Sequence, residues 1–286
     1  KISKVLEEDI RKPVVSDHEI FRIIWQAYKE RSVPYLRGPH PSHQTFSRTK
    51  SMLFEAGIIR RDYSYSGLWR IMTVPDEAAD VLCCQVDRFC YISHMSAMQR
   101  YGLTNRRPEA LFLTRPTDVI MRSEVKREFQ EYFNVESLQE DIFLDKPYVI
   151  NHPSRVRKRK IEQLKTKLFG EYTRVRGTDV RISSIGQVFL DMLNHPERCG
   201  GMRHVIEVWK NHAPIYFDRI VRAVDQSDRP IVKVRAGYIL DEILNIATDR
   251  VLSWQSHAAR GGSRVLEAGR EYQAPFSEKW MLSVNV

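Results

Sequence analysis

The stretch SHQTFSRTKSMLFEAGIIRRDYSYSGLWRIM, Ser42 to Met72, decides how this chain is read. Ser42 is a candidate N-cap, because its hydroxyl can accept one of the free N–H groups at a helix start. A helix is expected from about His43 to Ala56, with Gly57 as its stop. Phe46 and Leu53, seven residues apart, share one face of that helix. Gln44, Ser47, Arg48 and Ser51 fall on the opposite face. After Gly57, IIRRD and LWRIM can pair as two strands, with YSYSG as the tip between them. Helix, glycine and hairpin, with a polar outer helix face and basic strands, is the order of a winged helix-turn-helix. A piece of ordinary core with a solvated basic face fits the same pattern.

Upstream, SDHE signals another helix. Ser16 and Glu19 have the spacing of a capping box. Ile20, Ile24 and Tyr28 follow at helical spacing, and Pro34 sets the end near Arg31. Residues 1–12 read as a short helix or a loose arm. The middle helix of a helix-turn-helix would have to fit into residues 33–41, within LRGPHPSH.

Downstream, a helix is expected between Ser93 as N-cap and Gly102 as C-cap, and ALFLTRP reads as a strand. DIFLDKPYVI reads as further strands with a turn near Asp145–Pro147. RVRKRKIEQLKTKLFGEY reads as basic and partly helical. Ser184 and Gln187 have capping-box spacing before an apolar face of Ile185, Val188, Phe189, Met192 and Leu193. CGG separates that helix from one carrying Met202, Val205, Ile206 and Trp209. Two more helices are expected near 213–225 and 235–247, and then a polar tail. The expected fold class is α+β, with one domain at 1–75 and a larger mixed domain at 76–286.

With 286 residues the chain has room for about two domains. Its net charge of +9 favours a polyanionic partner. The charge is concentrated: residues 31–75 hold seven basic and two acidic residues, and RVRKRK holds five basic residues in six. No apolar run approaches the ~20 residues of a membrane span. No secretion-signal pattern opens the chain. A cytoplasmic, nucleoid-associated location is therefore expected, with no membrane partner. Cys83, Cys84 and Cys90 cluster and Cys199 stands apart, in no paired zinc spacing, so buried reduced thiols are expected rather than a metal site. No phosphate-loop, dinucleotide, metalloprotease or nucleophile-elbow motif is present. The expectation is no catalytic residue, no metal and no cofactor.

Two segments carry a resemblance. YISHMSAMQRYGLT, Tyr91 to Thr104, and GTDVRISSIGQVFLDMLNHPERCGG, Gly177 to Gly201, resemble the AbiEi-type antitoxins of bacterial type IV toxin–antitoxin systems. VRAGYILDEI, Val234 to Ile243, is similar to a third segment of that family. The chain departs from the family pattern at Met98, at Gly186-Gln187-Val188 and in its longer tail. The resemblance spans roughly residues 15–245. It implies an N-terminal winged helix that binds inverted repeats in its own promoter and represses the operon in phage defence. It also implies a C-terminal domain that counters a nucleotidyltransferase-like toxin without a stable complex.

On the winged-helix reading, helix 43–56 enters the major groove. Gln44 suits adenine and Arg48 suits guanine. Ser47 and Ser51 can reach base or phosphate. Ser42 and Thr45 sit where a helix start favours phosphate. Lys50 lies at the flank, toward the backbone. Arg60, Arg61, Tyr63 and Tyr65 belong to the wing. Arg155, Arg157, Lys158, Arg159 and Lys160 form a second patch, read as further DNA contact, RNA contact or solvated face. Self-association on repeated operator sites is a further expectation. Two alternatives stand beside this reading. One is a plain regulator whose C-terminal domain dimerises or senses. The other is a nucleic-acid-processing enzyme delivered by its winged helix.

Overall fold

The computed structural model describes residues 2–34, 36–135, 142–259 and 264–286. The chain is α+β and divides into two compact units. The first comprises Lys1–Cys90, Arg115–Ile161 and Lys165–Lys167, and contains the expected 1–75 segment whole. The second comprises Tyr91–Thr114, Glu162–Leu164 and Leu168–Val286. No helix among the described residues is long and apolar enough to cross a membrane.

The first unit opens with α1 (Ile2–Lys4), continued by a π turn over Val5–Asp9, and then β1 (Val14–Val15). Helix α2 (Asp17–Lys29) starts on the full capping box. Ser16 Oγ accepts from the Glu19 N–H at 3.2 Å, and the Glu19 carboxylate accepts from the Ser16 N–H at 2.8 Å. Its apolar stripe of Ile20, Phe21, Ile24, Trp25 and Tyr28 is buried. No helix forms among the described residues of 33–41, where three prolines and Gly38 break any run. Helix α3 (His43–Glu55) follows, with Ser42 as its cap and Phe46 and Leu53 as its buried side. Gly57, at φ +74°, supplies the left-handed stop that a side chain would resist.

Strands β2 (Ile59–Arg61) and β3 (Trp69–Ile71) then pair antiparallel as expected. The short β1 adds to the other edge of β3, giving the order β1-β3-β2. Phe21 and Phe46 meet edge to face at 5.5 Å beneath α2 and α3. Helix α4 (Ala79–Val86) carries the buried Leu82, Cys83 and Cys84, and α6 (Asp118–Phe133) lies in this unit too.

Two expectations fail here. Residues 142–150 form no strand; Phe143 instead inserts its ring against Phe21 at 5.5 Å and His43 at 4.9 Å. RVRKRK is not helical. It is a tight hairpin of β6 (Arg155–Val156) and the start of β7 (Arg159–Thr166), paired Arg155 to Lys160 and Val156 to Arg159. Arg157 and Lys158 both take positive φ, the geometry of a two-residue hairpin turn.

In the second unit, the part of β5 (Leu111–Pro116) up to Thr114, β4 (Tyr91–Ile92), β9 (Arg181–Ser183) and β8 (Tyr172–Arg174) lie side by side in that order. Helix α5 (His94–Arg100) follows β4, and α7 (Ile185–Asn194) starts on Ser184 as the spacing predicts. Helices α8 (Met202–His212), α9 (Phe217–Gln226), α10 (Pro230–Tyr238) and α11 (Asp249–Ser253) complete the helical part. Gly186 lets α7 approach α9 closely, since a Cβ there would lie 2.6 Å from the Arg219 carbonyl. The tail forms a small hairpin of β10 (Phe276–Ser277) and β11 (Leu282–Ser283).

The tail is anchored by Trp280, which is fully buried and donates from Nε1 to Asp241 at 2.9 Å. Its ring covers Gly237 so closely that a Cβ would sit 2.1 Å from the ring edge. Gly237→Ala should raise helix propensity by up to ~1 kcal/mol. The rigid indole has no room to yield, so overpacking of ~1–3 kcal/mol should win. A lower urea midpoint for the variant is the expected result, and an unchanged or higher one would show that the tail packs elsewhere.

A buried polar knot lies where α5 and α7 begin. Thr114 Oγ1 donates to Ser93 Oγ at 2.8 Å, and Ser93 Oγ lies 2.7 Å from His94 Nδ1. Ser93 therefore does not cap α5 through its side chain. Asp191 accepts from Ser183 at 3.0 Å and Gln187 at 2.8 Å. Burial pushes its carboxyl up to about 7 despite these bonds and the His94 N–H, from an ordinary 3.8. Burial, with the charges of His195 and Arg198, pushes His94 down to about 3.

These two groups pull stability in opposite directions with pH. Asp191 contributes fully below its ordinary value and loses that contribution as pH rises through about 7. His94 contributes fully above its ordinary 6.5 and loses that contribution as pH falls toward about 3. Asp191→Asn removes only the first effect. Urea titrations should therefore show the variant gaining on the wild type from about pH 4.5 to about pH 8. A constant difference would mean that Asp191 titrates normally.

Candidate nucleic-acid interface

Helix α3 presents its polar side because Phe46 and Leu53 commit the other side to the core. Gln44, Arg48 and Ser51 are exposed, and Ser47 is half-buried. Among the described residues none of these four side chains is held by a hydrogen bond, ion pair or ring contact. Gln44 and Arg48 stand one turn apart on the same stripe. Ser42 Oγ accepts from the Thr45 N–H at 3.2 Å and lies 3.0 Å from Thr45 Oγ1. That cap consumes one helix-start donor, and the exposed positions His43 and Gln44 bring the next N–H groups to the surface.

The other expected residues are already engaged. Lys50 donates to Asp17 Oδ1 at 2.9 Å, which also accepts from Trp69 Nε1 at 2.7 Å. Its ammonium lies 4.5 Å over the Phe46 ring. Lys50 thus ties α3 to α2 and β3. Arg60 is exposed but stacks on Phe54 and donates to the Phe54 carbonyl. Arg61 is exposed and lies 3.8 Å over Trp69. Tyr63 is 72% exposed at the hairpin tip, with its hydroxyl donating to Asp76 at 3.1 Å. Tyr65 is only 4% exposed: it is a core residue, its hydroxyl 2.7 Å from His152 Nδ1 and 3.5 Å from Cys83 Sγ. Period-two alternation would keep Tyr63 and Tyr65 on one face. The turn in which Asp62 accepts from the N–H groups of Ser64 and Tyr65 breaks it, leaving Tyr63 outside and Tyr65 inside.

The basic hairpin 155–160 contributes less free charge than its sequence suggests. Arg157 is spent inside the unit. Its guanidinium grips Asp62 at 2.7 and 3.1 Å, donates to Asp76 at 3.0 Å and to Ser64 at 2.9 Å, and covers Tyr63 at 4.1 Å. Asp62 meanwhile accepts from the N–H groups of Ser64 and Tyr65, so one carboxylate both shapes the tip and binds Arg157. Burial works against the charge on Asp76, but the Glu77 N–H and Arg157 outweigh it and hold its carboxyl below the ordinary range. Arg155, Lys158, Arg159 and Lys160 are exposed on the same hairpin.

Two other clusters bear on chemistry. Asp87, Cys90 and His152 bring three potential ligand atoms within 4.8 Å, all buried. Arg115, fully buried, reaches the same Asp87 oxygen at 3.2 Å and already supplies a positive charge there. The cluster is thus closed as an ion pair. All four cysteines are buried free thiols, and burial pushes Cys83 up to about 12. The Ser93–His94 pair has the atoms of a nucleophile and base, yet both residues are fully buried.

No family model matches the chain. No curated protein matches it either. Among solved structures, the Rv2827c protein of Mycobacterium tuberculosis is similar, with 12% identity and a TM-score of 0.48 over 98% of this chain and 88% of that one. A likeness this distant carries no function across. What the fold and the surface define on their own is an α+β protein whose helix α3 carries a polar face unengaged among the described residues, followed by the basic β2–β3 hairpin.

Proposed function

We propose that this protein is a winged-helix transcriptional repressor of its own operon and the antitoxin of an AbiEi-type system. The supporting observation is the element order of the first unit: helical arm, β1, α2, turn, α3, β2, β3, with β1 returned to the edge of β3. In a winged helix that first strand closes the sheet against the hairpin. On this assignment α2 is the middle helix, residues 33–41 are the turn, and α3 is the recognition helix. Gln44 and Arg48 read base edges, and Ser47 and Ser51 assist them. Ser42, Thr45 and the start of α3 take a phosphate. Arg60, Arg61 and Tyr63 form the wing, and Arg155, Lys158, Arg159 and Lys160 extend its positive charge. Lys50, Tyr65 and Arg157 build the unit and do not contact DNA.

The test is a mobility-shift titration of the full chain on its own upstream promoter, beside a scrambled duplex at physiological salt. A preference of ~10³ or more is expected for a sequence-specific regulator. Equal weak binding to both duplexes would end the repressor reading. The antitoxin half rests on the three family-like segments of the second unit. Co-expression with a nucleotidyltransferase-like protein from the neighbouring gene should restore growth without co-purification. No rescue would leave a plain regulator.

A further inference from the structure

Helix α6 and residues 146–149, all within the first unit, enclose a cleft of about 540 Å³. Its floor is apolar, from Val125, Phe129, Val135 and Val149. Around it stand three exposed cations, Arg122, Lys126 and Lys146. No carboxylate lines the cleft among the described residues, and none of the three cations forms an ion pair there. Asp118, one turn before Arg122, is bound to Lys165 at 2.8 Å. An apolar floor ringed by three exposed cations, at the volume of small-molecule pockets, is complementary to a ligand with an apolar body and an anionic head.

The cleft also touches the hairpin tip. Tyr148 lines it and donates from its hydroxyl to the Gly67 carbonyl at 3.1 Å. Gly67 lies between β2 and β3, where a Cβ would stand 3.4 Å from that hydroxyl. Three residues earlier, the Asp145 carbonyl accepts from His18 of α2 at 2.6 Å. The segment that walls the cleft is therefore bonded to both α2 and the wing.

We infer that this cleft binds a small organic anion with an aromatic or aliphatic body, such as a carboxylate, sulfonate or phosphate, and that occupation acts on the wing through Tyr148. Binding rests on the cleft alone. Its consequence for operator DNA rests on the winged-helix reading above. A ligand that needs Tyr148 in one position biases the Gly67 carbonyl and with it the tip from Asp62 to Leu68.

The full chain is titrated with anilinonaphthalene sulfonate and, in parallel, with phenylnaphthylamine, which has the same rings and no charge. One saturable site for the sulfonate is expected. Arg122→Gln, Lys126→Gln and Lys146→Gln together, all at exposed positions, should weaken the sulfonate at least about tenfold more than the neutral dye. Absence of saturation, or equal loss for the two dyes, would overturn the anion site. If the triple variant spares the sulfonate but flattens the salt dependence of binding to scrambled DNA, the cations serve a phosphate backbone and the inference falls.

Amide exchange over residues 62–68 reads the coupling. At saturating sulfonate it should change in the wild type and not in Tyr148→Phe. No change in the wild type would remove the link to the wing. Neither readout uses operator DNA, so failure of the repressor reading and failure of the cleft remain separable.

Discussion

The double substitution Gln44→Ala and Arg48→Ala is expected to erase the preference for operator over scrambled duplex while leaving weak binding to both. Each bidentate contact to a base edge discriminates by ~1–3 kcal/mol, so the pair accounts for most of a ~10³ preference. Both side chains are exposed and engage nothing among the described residues, so the urea midpoint should stay put. The non-specific component should persist, because the exposed cations of Arg60, Arg61 and the 155–160 hairpin remain. Lys50→Ala is the contrast. It leaves Asp17 with Trp69 alone, so it should lower stability and change specificity little. Mobility shifts at one fixed salt concentration, with urea titrations beside them, separate the two effects. If the double variant keeps its operator preference, α3 is not the reading element.

The parts of this fold legible in sequence are those set by local chemistry. Ser16 with Glu19, Ser42 with Gly57, and Ser184 each mark a helix end with a side-chain bond or a left-handed turn, and each sits where its spacing put it. The misses are tertiary. Strand β1 is two valines, too short to show alternation, and it exists because β3 offers an edge. DIFLDKPYVI has the composition of a strand, but its described residues spend Phe143 on the aromatic core and Tyr148 on the hairpin tip instead of on a ladder. α10 starts five residues earlier than expected, although Pro230 at its first turn was a readable signal.

The candidate site divides the same way. A helical wheel separates Gln44 and Arg48 from Phe46, so the exposed face could be read. A charge count could not tell that Arg157 is taken by Asp62, since they are 95 residues apart in the chain. It could not tell that Lys50 is taken by Asp17 either. Period-two alternation would have kept Tyr65 on the same side as Tyr63, and it is the Asp62 turn at the tip that sends Tyr65 inside.

Arg115→Met should destabilise the first unit by ~3–5 kcal/mol, the cost of leaving one member of a buried ion pair behind. Arg115 is fully buried, and Asp87 nearly so, at 3.2 Å from its Nε. The arginine also packs on Met121, with Sδ 3.1 Å from the guanidinium, so methionine replaces much of its volume without its charge. What then remains at Asp87 is a carboxylate beside His152, whose Nε2 lies 3.3 Å away and whose Nδ1 faces the Tyr65 hydroxyl. The loss should therefore reach the hairpin tip through Tyr65 and, on the proposed winged-helix reading, weaken DNA binding from a distance.

Charge and volume are separable in a double-mutant cycle. Asp87→Asn added to Arg115→Met removes the stranded charge, and it should recover at least about half of the loss, because burying a polar pair gains little over an apolar one of equal size. Urea titrations of the wild type, both single variants and the double variant give the coupling. Additive losses would mean that Arg115 acts by packing alone. A cost under about 1 kcal/mol for Arg115→Met would mean that the pair is solvated in solution. Were the Asp87, Cys90 and His152 group instead a cation site, Arg115→Met would open it, and zinc would raise the midpoint of that variant. If Asp87, Cys90 and His152 serve only as an ion-pair network, zinc should leave the midpoints of the wild type and of the variant unchanged.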